Sequence, residues 1–142
     1  MKNELTAPMN ITGATRFYVV VGDPIRQVRS TELYNKLASD NELDVVFISV
    51  QFTPNDAEVA ITELRVFKNL GGIIPTIPHK TGFLKVVDEL SHRSQMVGAV
   101  NSIRCEPDGR WQGDIFDGVD YVNGLLTNDR SPAGRSVLLI GA

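Results

Sequence analysis

From Arg16 onward, apolar runs of strand length alternate with stretches of helical period, and this alternation limits the fold more than any other feature of the chain. It is the βαβ pattern of a largely parallel sheet covered by helices. The first run, Phe17-Tyr18-Val19-Val20-Val21, is apolar at nearly every position and rich in β-branched residues, as a central strand buried on both faces requires. Gly22-Asp23-Pro24 ends it. A helix is expected from Thr31 to about Ser39, with Ser30 as its N-cap and Leu33, Tyr34 and Leu37 facing inward. A second strand, residues 45–50, follows. In the next helix Thr53-Pro54 supplies a cap and a first-turn proline, and Ala57, Ala60, Ile61, Leu64 and Phe67 share one face.

Gly71 to Ile74 reads as a short strand entering Pro75-Thr76-Ile77-Pro78, where two prolines rule out a helix interior and set up a rigid loop. His79 and Lys80 then open a helix carrying Phe83, Leu84, Val87 and Leu90. A short helix from His92 precedes Gly98. Residues 99–105 and 110–115 form an antiparallel pair around the turn at Pro107-Asp108-Gly109. Residues 117–126 are helical by period, with Val119, Val122, Leu125 and Leu126 apolar. The expected architecture is an open three-layer α/β sandwich: a mostly parallel mixed sheet with one antiparallel hairpin strand and helices on both faces.

The chain divides into an arm over residues 1–15, a domain over 16–127, a polar linker over 128–135, and a buried strand over 136–142 that ends in Gly141-Ala142. A composition of 142 residues with 42% hydrophobic content suffices for one core. The net charge of -3 gives no basic footprint, so neither nucleic acid nor an anionic membrane is an expected partner. The longest apolar runs, residues 17–21 and 137–140, are strand-sized, far short of the ~20 residues that cross a bilayer. Cys105 is the one cysteine, so no internal disulfide is possible and a reducing cytoplasm is the expected compartment. His79 and His92 lack a third ligand, which argues against a metal site. His79 suits loop packing better than base catalysis, and Trp111 suits half-buried strand packing.

Three segments, in this order and at these separations, carry a family likeness: Gly22-Asp23-Pro24-Ile25 through Ser30 to Asn35, then Thr76-Ile77-Pro78-His79-Lys80, then Gly98-Ala99-Val100-Asn101-Ser102, with Asp117-Gly118 further on. Together they resemble the substrate-binding domain of shikimate and quinate dehydrogenases over about residues 16–142. The resemblance implies one half of a two-domain oxidoreductase that moves hydride between NADP or NAD and a ring carbon of a hydroxylated ring carboxylate such as shikimate or quinate. The cofactor would be held mainly by a second domain, and residues 136–142 would be the first strand of that dinucleotide-binding domain, pairing poorly with the main sheet or protruding from it. Carried over by motif, Lys80 matches the catalytic lysine and Asp117 its partner, while Ser30, Thr76 and Asn101 match positions that hold hydroxyls and carboxylate. The resemblance implies no metal and leaves the oligomeric state open, a homodimer included.

These residue types suit that chemistry. Removing hydride from an alcohol leaves a proton to be taken from its oxygen, and the reverse reaction needs a donor for the developing alkoxide; a lysine held by an aspartate does either. Hydroxyl and amide side chains match the donors and acceptors of a polyol. Plainer roles stand beside these: Lys80 as a surface charge, Ser30 and Asp117 as helix caps, Gly141 as the end of a core strand. The family pattern is broken at Val28, where a serine is usual, at Ile74 in place of asparagine, at Ile115-Phe116 in place of Asn-Thr, and at Asp120 in place of glycine. The changes at Val28, Ile74 and Ile115-Phe116 remove polar contacts, which points to a substrate less polar than shikimate or quinate as a third possibility. A free-standing binding or regulatory module that uses the same cleft without redox chemistry is the competing expectation. A flavodoxin-like or receiver domain is disfavoured, since Asp23-Pro24-Ile25 supplies neither a phosphate loop nor an acidic cluster.

Overall fold

The computed structural model of the chain describes residues 10–138 and Ile140. In chain order the elements are β1 (Arg16–Gly22), α1 (Ser30–Asp40), β2 (Val45–Gln51), α2 (Ala57–Leu64), β3 (Leu70–Pro75), a 3-10 turn (Gly82–Lys85), β4 (Glu89–Leu90), α3 (His92–Val97), β5 (Ser102–Cys105), β6 (Trp111–Asp114) and α4 (Asp117–Thr127). The strands form one six-stranded sheet in the order β2-β1-β3-β5-β6-β4. β1 is parallel to β2 and β3, β5 is antiparallel to both β3 and β6, and β4 is parallel to β6. All strands but β5 therefore run one way, and the mixed sheet is the one expected. The reversal of β5 matters for the site, because it brings the start of β5 to the same sheet edge as the ends of the others.

Period two along the strands divides the sheet into two unlike faces. Val19 and Val21 of β1, Ile73 of β3, Ile103 and Cys105 of β5 and Trp111 of β6 join Ile61, Phe83 and Val100 in the main core. The opposite face presents Tyr18, Ile74, Ser102, Arg104 and Asp114, a mixture of aromatic, aliphatic and polar groups. β1 lies inside the sheet, and Val19, Val20 and Val21 are at most 1% exposed, which explains its unbroken apolar run. Gly71 and Gly72 answer a close approach: a Cβ on Gly71 would lie 2.3 Å from Tyr18 Cζ, and one on Gly72 would lie 2.6 Å from the Ile103 carbonyl oxygen. Asn35 fastens α1 to β2, donating from Nδ2 to the Phe47 carbonyl and accepting the Phe47 N–H at Oδ1, both at 2.8 Å.

Several elements depart from expectation. Ser30 is the first residue of α1 and not its cap; Arg29 takes that position without a side-chain hydrogen bond. Leu33 and Leu37 lie outward, and Ala38 is the buried residue of α1, since the helix meets the sheet through Tyr34, Asn35 and Ala38. α2 begins at Ala57, three residues later than its proline suggests: Thr53 hydroxyl donates to Asp56 at 2.7 Å and closes a turn ahead of the helix. Phe67 falls beyond the end of α2, where it meets Phe17 edge-on with ring centroids 5.7 Å apart. The helix expected after Lys80 shrinks to the 3-10 turn, and Leu90 belongs to β4, because β6 captures residues 89–90 as a parallel neighbour. Trp111 is fully buried, with the Arg65 guanidinium 4.2 Å above its ring.

The N-terminal arm falls partly outside the described residues; its last part is tied down by Thr15, whose hydroxyl donates to Asp44 at 2.6 Å. Of the buried strand expected over 136–142, Leu139, Gly141 and Ala142 lie outside the described residues. Ser136, Val137, Leu138 and Ile140 belong to no strand, and Val137, Leu138 and Ile140 are 81–85% exposed. A strand needs a partner for its backbone groups, and no described strand offers one there. Among the described residues no helix is long and apolar enough to cross a membrane.

Candidate functional site

A cleft of about 550 Å³ opens where the parallel strands end, and Ser30, Thr76, Lys80, Asn101 and Asp117 all line it. Each reaches it by a different route. Ser30 comes from the start of α1 after β1, Thr76 and Lys80 from the loop after β3, Asn101 from the residue preceding the reversed β5, and Asp117 from the first turn of α4 after β6. Open α/β sheets place ligands at this edge for the same topological reason.

The loop that carries Thr76 and Lys80 is pinned at several points. Thr76 N–H donates to the Val21 carbonyl at 2.8 Å, and His79 N–H donates to the Thr76 carbonyl at 2.7 Å. The buried His79 ring lies on Phe52 at 4.4 Å between centroids, with Nε2 2.9 Å from the Phe52 carbonyl oxygen. His79 is the packing residue anticipated for it. Lys80 carbonyl in turn accepts the Val100 N–H at 2.9 Å, fixing the two segments side by side.

Lys80 Nζ donates to Asp117 Oδ2 in a direct ion pair, and Asn101 Nδ2 donates to Asp117 Oδ1 at 2.6 Å. Asn101 Oδ1 accepts the Phe116 N–H at 3.0 Å. One carboxylate thus holds an ammonium and an amide, and Asn101 keeps one N–H and one lone pair free of these bonds. The Lys80 side chain is 28% exposed and that of Asp117 53%, so the pair is open to a ligand from the cleft. Asp117 is not the cap of α4: Phe116 holds the cap position, and the Asp117 carboxylate is committed to Lys80 and Asn101. At the first turn of an 11-residue helix its charge is also favoured by the helix dipole. The Ser30 and Thr76 hydroxyls make no hydrogen bond among the described residues, which leaves both available to a ligand.

The other wall is apolar. Tyr18, Tyr34 and Phe47 form a continuous aromatic surface, with ring centroids 4.9 Å and 5.1 Å apart, and Val28, Ile74 and Phe116 extend it. Period two on β1 could have revealed Tyr18, since Tyr18 and Val19 must face opposite ways. Also unforeseen is the bracing of Asp114 by Ser91 and Arg93, described below. A charged residue at the end of a strand, where aspartate is depleted unless its side chain has a partner, was the signal available for it.

A polar cleft at the strand ends of a mixed sheet, with a lysine held on an aspartate, defines a small-molecule-binding α/β domain. The model of the shikimate dehydrogenase substrate binding domain matches residues 20–103, and the chain belongs to that family. The shikimate dehydrogenase (NADP+) of Shouchella clausii is 33% identical over 130 residues, covering 90% of this chain and 46% of the relative. That of Halorhodospira halophila is 35% identical over 126 residues, covering 88% of this chain and 46% of the relative. The chain therefore spans just under half the length of these relatives. Among solved structures, a shikimate 5-dehydrogenase from Listeria monocytogenes, determined in complex with shikimate and NAD, superposes with a TM-score of 0.81 at 30% identity, over 88% of this chain and 43% of that one.

Proposed function

We propose that this chain is the substrate-binding half of an NAD(P)-dependent dehydrogenase that interconverts a ring hydroxyl and a ketone in shikimate, quinate or a related hydroxylated ring acid. The observation that carries the reading is the Lys80–Asp117–Asn101 cluster at the mouth of a cleft that also holds the free hydroxyls of Ser30 and Thr76. In ketone reduction, Lys80 Nζ donates a proton to the carbonyl oxygen as hydride arrives at the carbon; in oxidation the same nitrogen receives that proton from the hydroxyl. Asp117 holds the nitrogen in place and balances its charge. Ser30, Thr76 and the remaining N–H of Asn101 orient the ring through its hydroxyls and carboxylate.

A bound nicotinamide cofactor, NADP or NAD, would supply the hydride chemistry. Among the described residues no strand leads into a glycine-rich turn at a helix N-terminus, so the dinucleotide phosphates would be held outside them. What this chain contributes is the open mouth of the cleft beside Lys80. The proposed division is an arm over residues 1–15, a domain over 16–127, a linker over 128–135, and residues 136–142, which would pair as the first strand of a dinucleotide-binding domain only within that domain; a cytoplasmic setting fits an enzyme of this kind.

The test is titration of this chain with shikimate and with quinate, followed by calorimetry and by amide resonances. Binding that perturbs Ser30, Thr76, Asn101 and Asp117 is the expected result. Failure of every hydroxylated ring acid to bind, or perturbations confined to another surface, overturns the reading.

A further inference from the structure

We propose that Arg93, acting through Asp114 and Phe116, is a positioning residue for the Lys80–Asn101–Asp117 cluster; the proposal rests on the functional reading of that cluster given above. Arg93 lies on α3 and touches none of the three. Its guanidinium grips Asp114 with both ends of the fork, Nε to Oδ1 at 3.1 Å and Nη2 to Oδ2. The same guanidinium lies 4.6 Å over the Phe116 ring. Asp114 Oδ1 also accepts from the Ser91 hydroxyl and, at 2.7 Å, from the Ile115 N–H. This carboxylate therefore ties together the start of α3, the end of β6 and the corner that leads into α4.

The corner governs the orientation of Asn101. Asp114 carbonyl accepts the Asn101 N–H at 3.0 Å and so fixes the backbone of that residue. Phe116 N–H donates to Asn101 Oδ1 at 3.0 Å, and Asn101 Nδ2 donates to Asp117 Oδ1 at 2.6 Å. If the amide were turned over, its NH2 would face the Phe116 N–H and its oxygen would face a carboxylate, and both contacts would be repulsive. The position of the Phe116 N–H thus selects the productive amide orientation. Two supports hold that N–H in place, the Ile115 bond to Asp114 and the Arg93 guanidinium on the Phe116 ring.

An isolated surface ion pair would carry no such consequence, since most contribute little. This one differs because the guanidinium is bidentate and stacked, and because its carboxylate is bonded to the backbone one residue from the cluster's own support. A lysine could keep the charge but neither the fork nor the planar stack.

The experiment uses the 142-residue chain, labelled with 15N, as wild type, Arg93→Ala and Arg93→Lys. The readouts are the Asn101 side-chain amide resonances and the hydrogen exchange of the Phe116 amide, with the Val19 to Val21 amides reporting an intact fold. In both variants the Asn101 amide pair should move towards the positions of a free asparagine, and the Phe116 amide should exchange ~10-fold faster or more. Arg93→Lys keeps the charge and the aliphatic stem, so it provides the answer even if the alanine variant does not fold. Unchanged Asn101 and Phe116 signals in a folded variant overturn the proposal, as does full restoration by lysine, which would make charge alone sufficient. Adding shikimate, quinate and related hydroxylated ring acids in turn to the wild-type sample separates the two ideas: no perturbation by any of them sinks the functional reading, while the amide signals still decide the positioning role.

Discussion

Lys80 is a surface-type residue whose meaning comes from its neighbours. The loop after β3 brings it onto Asp117, and Asn101 holds the other oxygen of the same carboxylate. These three, with Ser30 and Thr76, could be named in advance because short strings such as Thr76-Ile77-Pro78-His79-Lys80 are recognisable as motifs. The aromatic wall as a whole could not, although the period of β1 signals Tyr18, since Tyr18, Tyr34 and Phe47 come from separate elements and meet through packing alone. Val28 lines the cleft close in sequence to the free Ser30 hydroxyl. Val28→Ser should therefore strengthen binding of shikimate or quinate by ~1 kcal/mol, about one hydrogen bond's worth, as read by calorimetry on the chain. Gly72→Ala should act on stability instead. A Cβ there meets the backbone oxygen of Ile103 at 2.6 Å, so β3 and β5 must part, and thermal or denaturant unfolding should show a loss of about 1–3 kcal/mol.

Among the elements, strands were more legible than helices. β1 carries its assignment in its unbroken apolar run, whereas the segment after Lys80 has a helical period but too few residues before β6 captures Glu89 and Leu90 as a strand. Apolar spacing there reports burial of Phe83 and Leu84 and not the kind of backbone that buries them. α3 is short, and it is anchored by Ser91, whose hydroxyl oxygen accepts the Ser94 N–H at 3.1 Å, and by Gly98 in the left-handed region with φ 72°. Its link to β6 is Asp114, whose carboxyl is lowered to about 2, first by the Arg93 hydrogen bonds and further by those from Ser91 and the Ile115 N–H. A pKa lowered in the folded state means that the unfolded chain takes up the proton first. The stabilisation is then complete above the unfolded value of ~4 and is lost as pH falls towards 2. Asp114→Asn should remove it, on the order of 1–2 kcal/mol once solvent screening of a partly exposed pair is allowed for. In acid unfolding series, the gap between wild type and variant should narrow steadily below pH ~4; a gap independent of pH would contradict the assignment.

At the scale of the whole molecule, the described residues leave large apolar side chains uncovered on several elements, α4 among them. Val119, Val122 and Leu126, apolar positions of its helical period, are 36–50% exposed, and Tyr121 is 71% exposed. The period was read correctly as helical, and what the sequence could not convey is which surface that face meets. Within this chain the face covers little, so Leu126→Ser should shift stability by no more than ~0.5 kcal/mol in thermal unfolding. A loss of several kcal/mol would show that the face is covered in this chain after all. The fold class, the antiparallel β5–β6 pair and the identities of the five residues that line the cleft all followed from pattern and motif. The bracing of Asn101 by Arg93 and Asp114 did not, because it depends on side-chain geometry that no spacing encodes.

The central claim is that Lys80 Nζ carries the proton that accompanies hydride transfer. It is tested most directly by joining this chain to the part of the Shouchella clausii shikimate dehydrogenase (NADP+) that the match does not cover and measuring turnover with shikimate or quinate at saturating cofactor. Lys80→Ala should lower kcat by about 10²–10⁴-fold with a smaller change in KM, the usual scale for loss of a general acid–base group. A kcat in the alanine variant equal to that of the parent would reduce Lys80 to a surface charge and contradict the account.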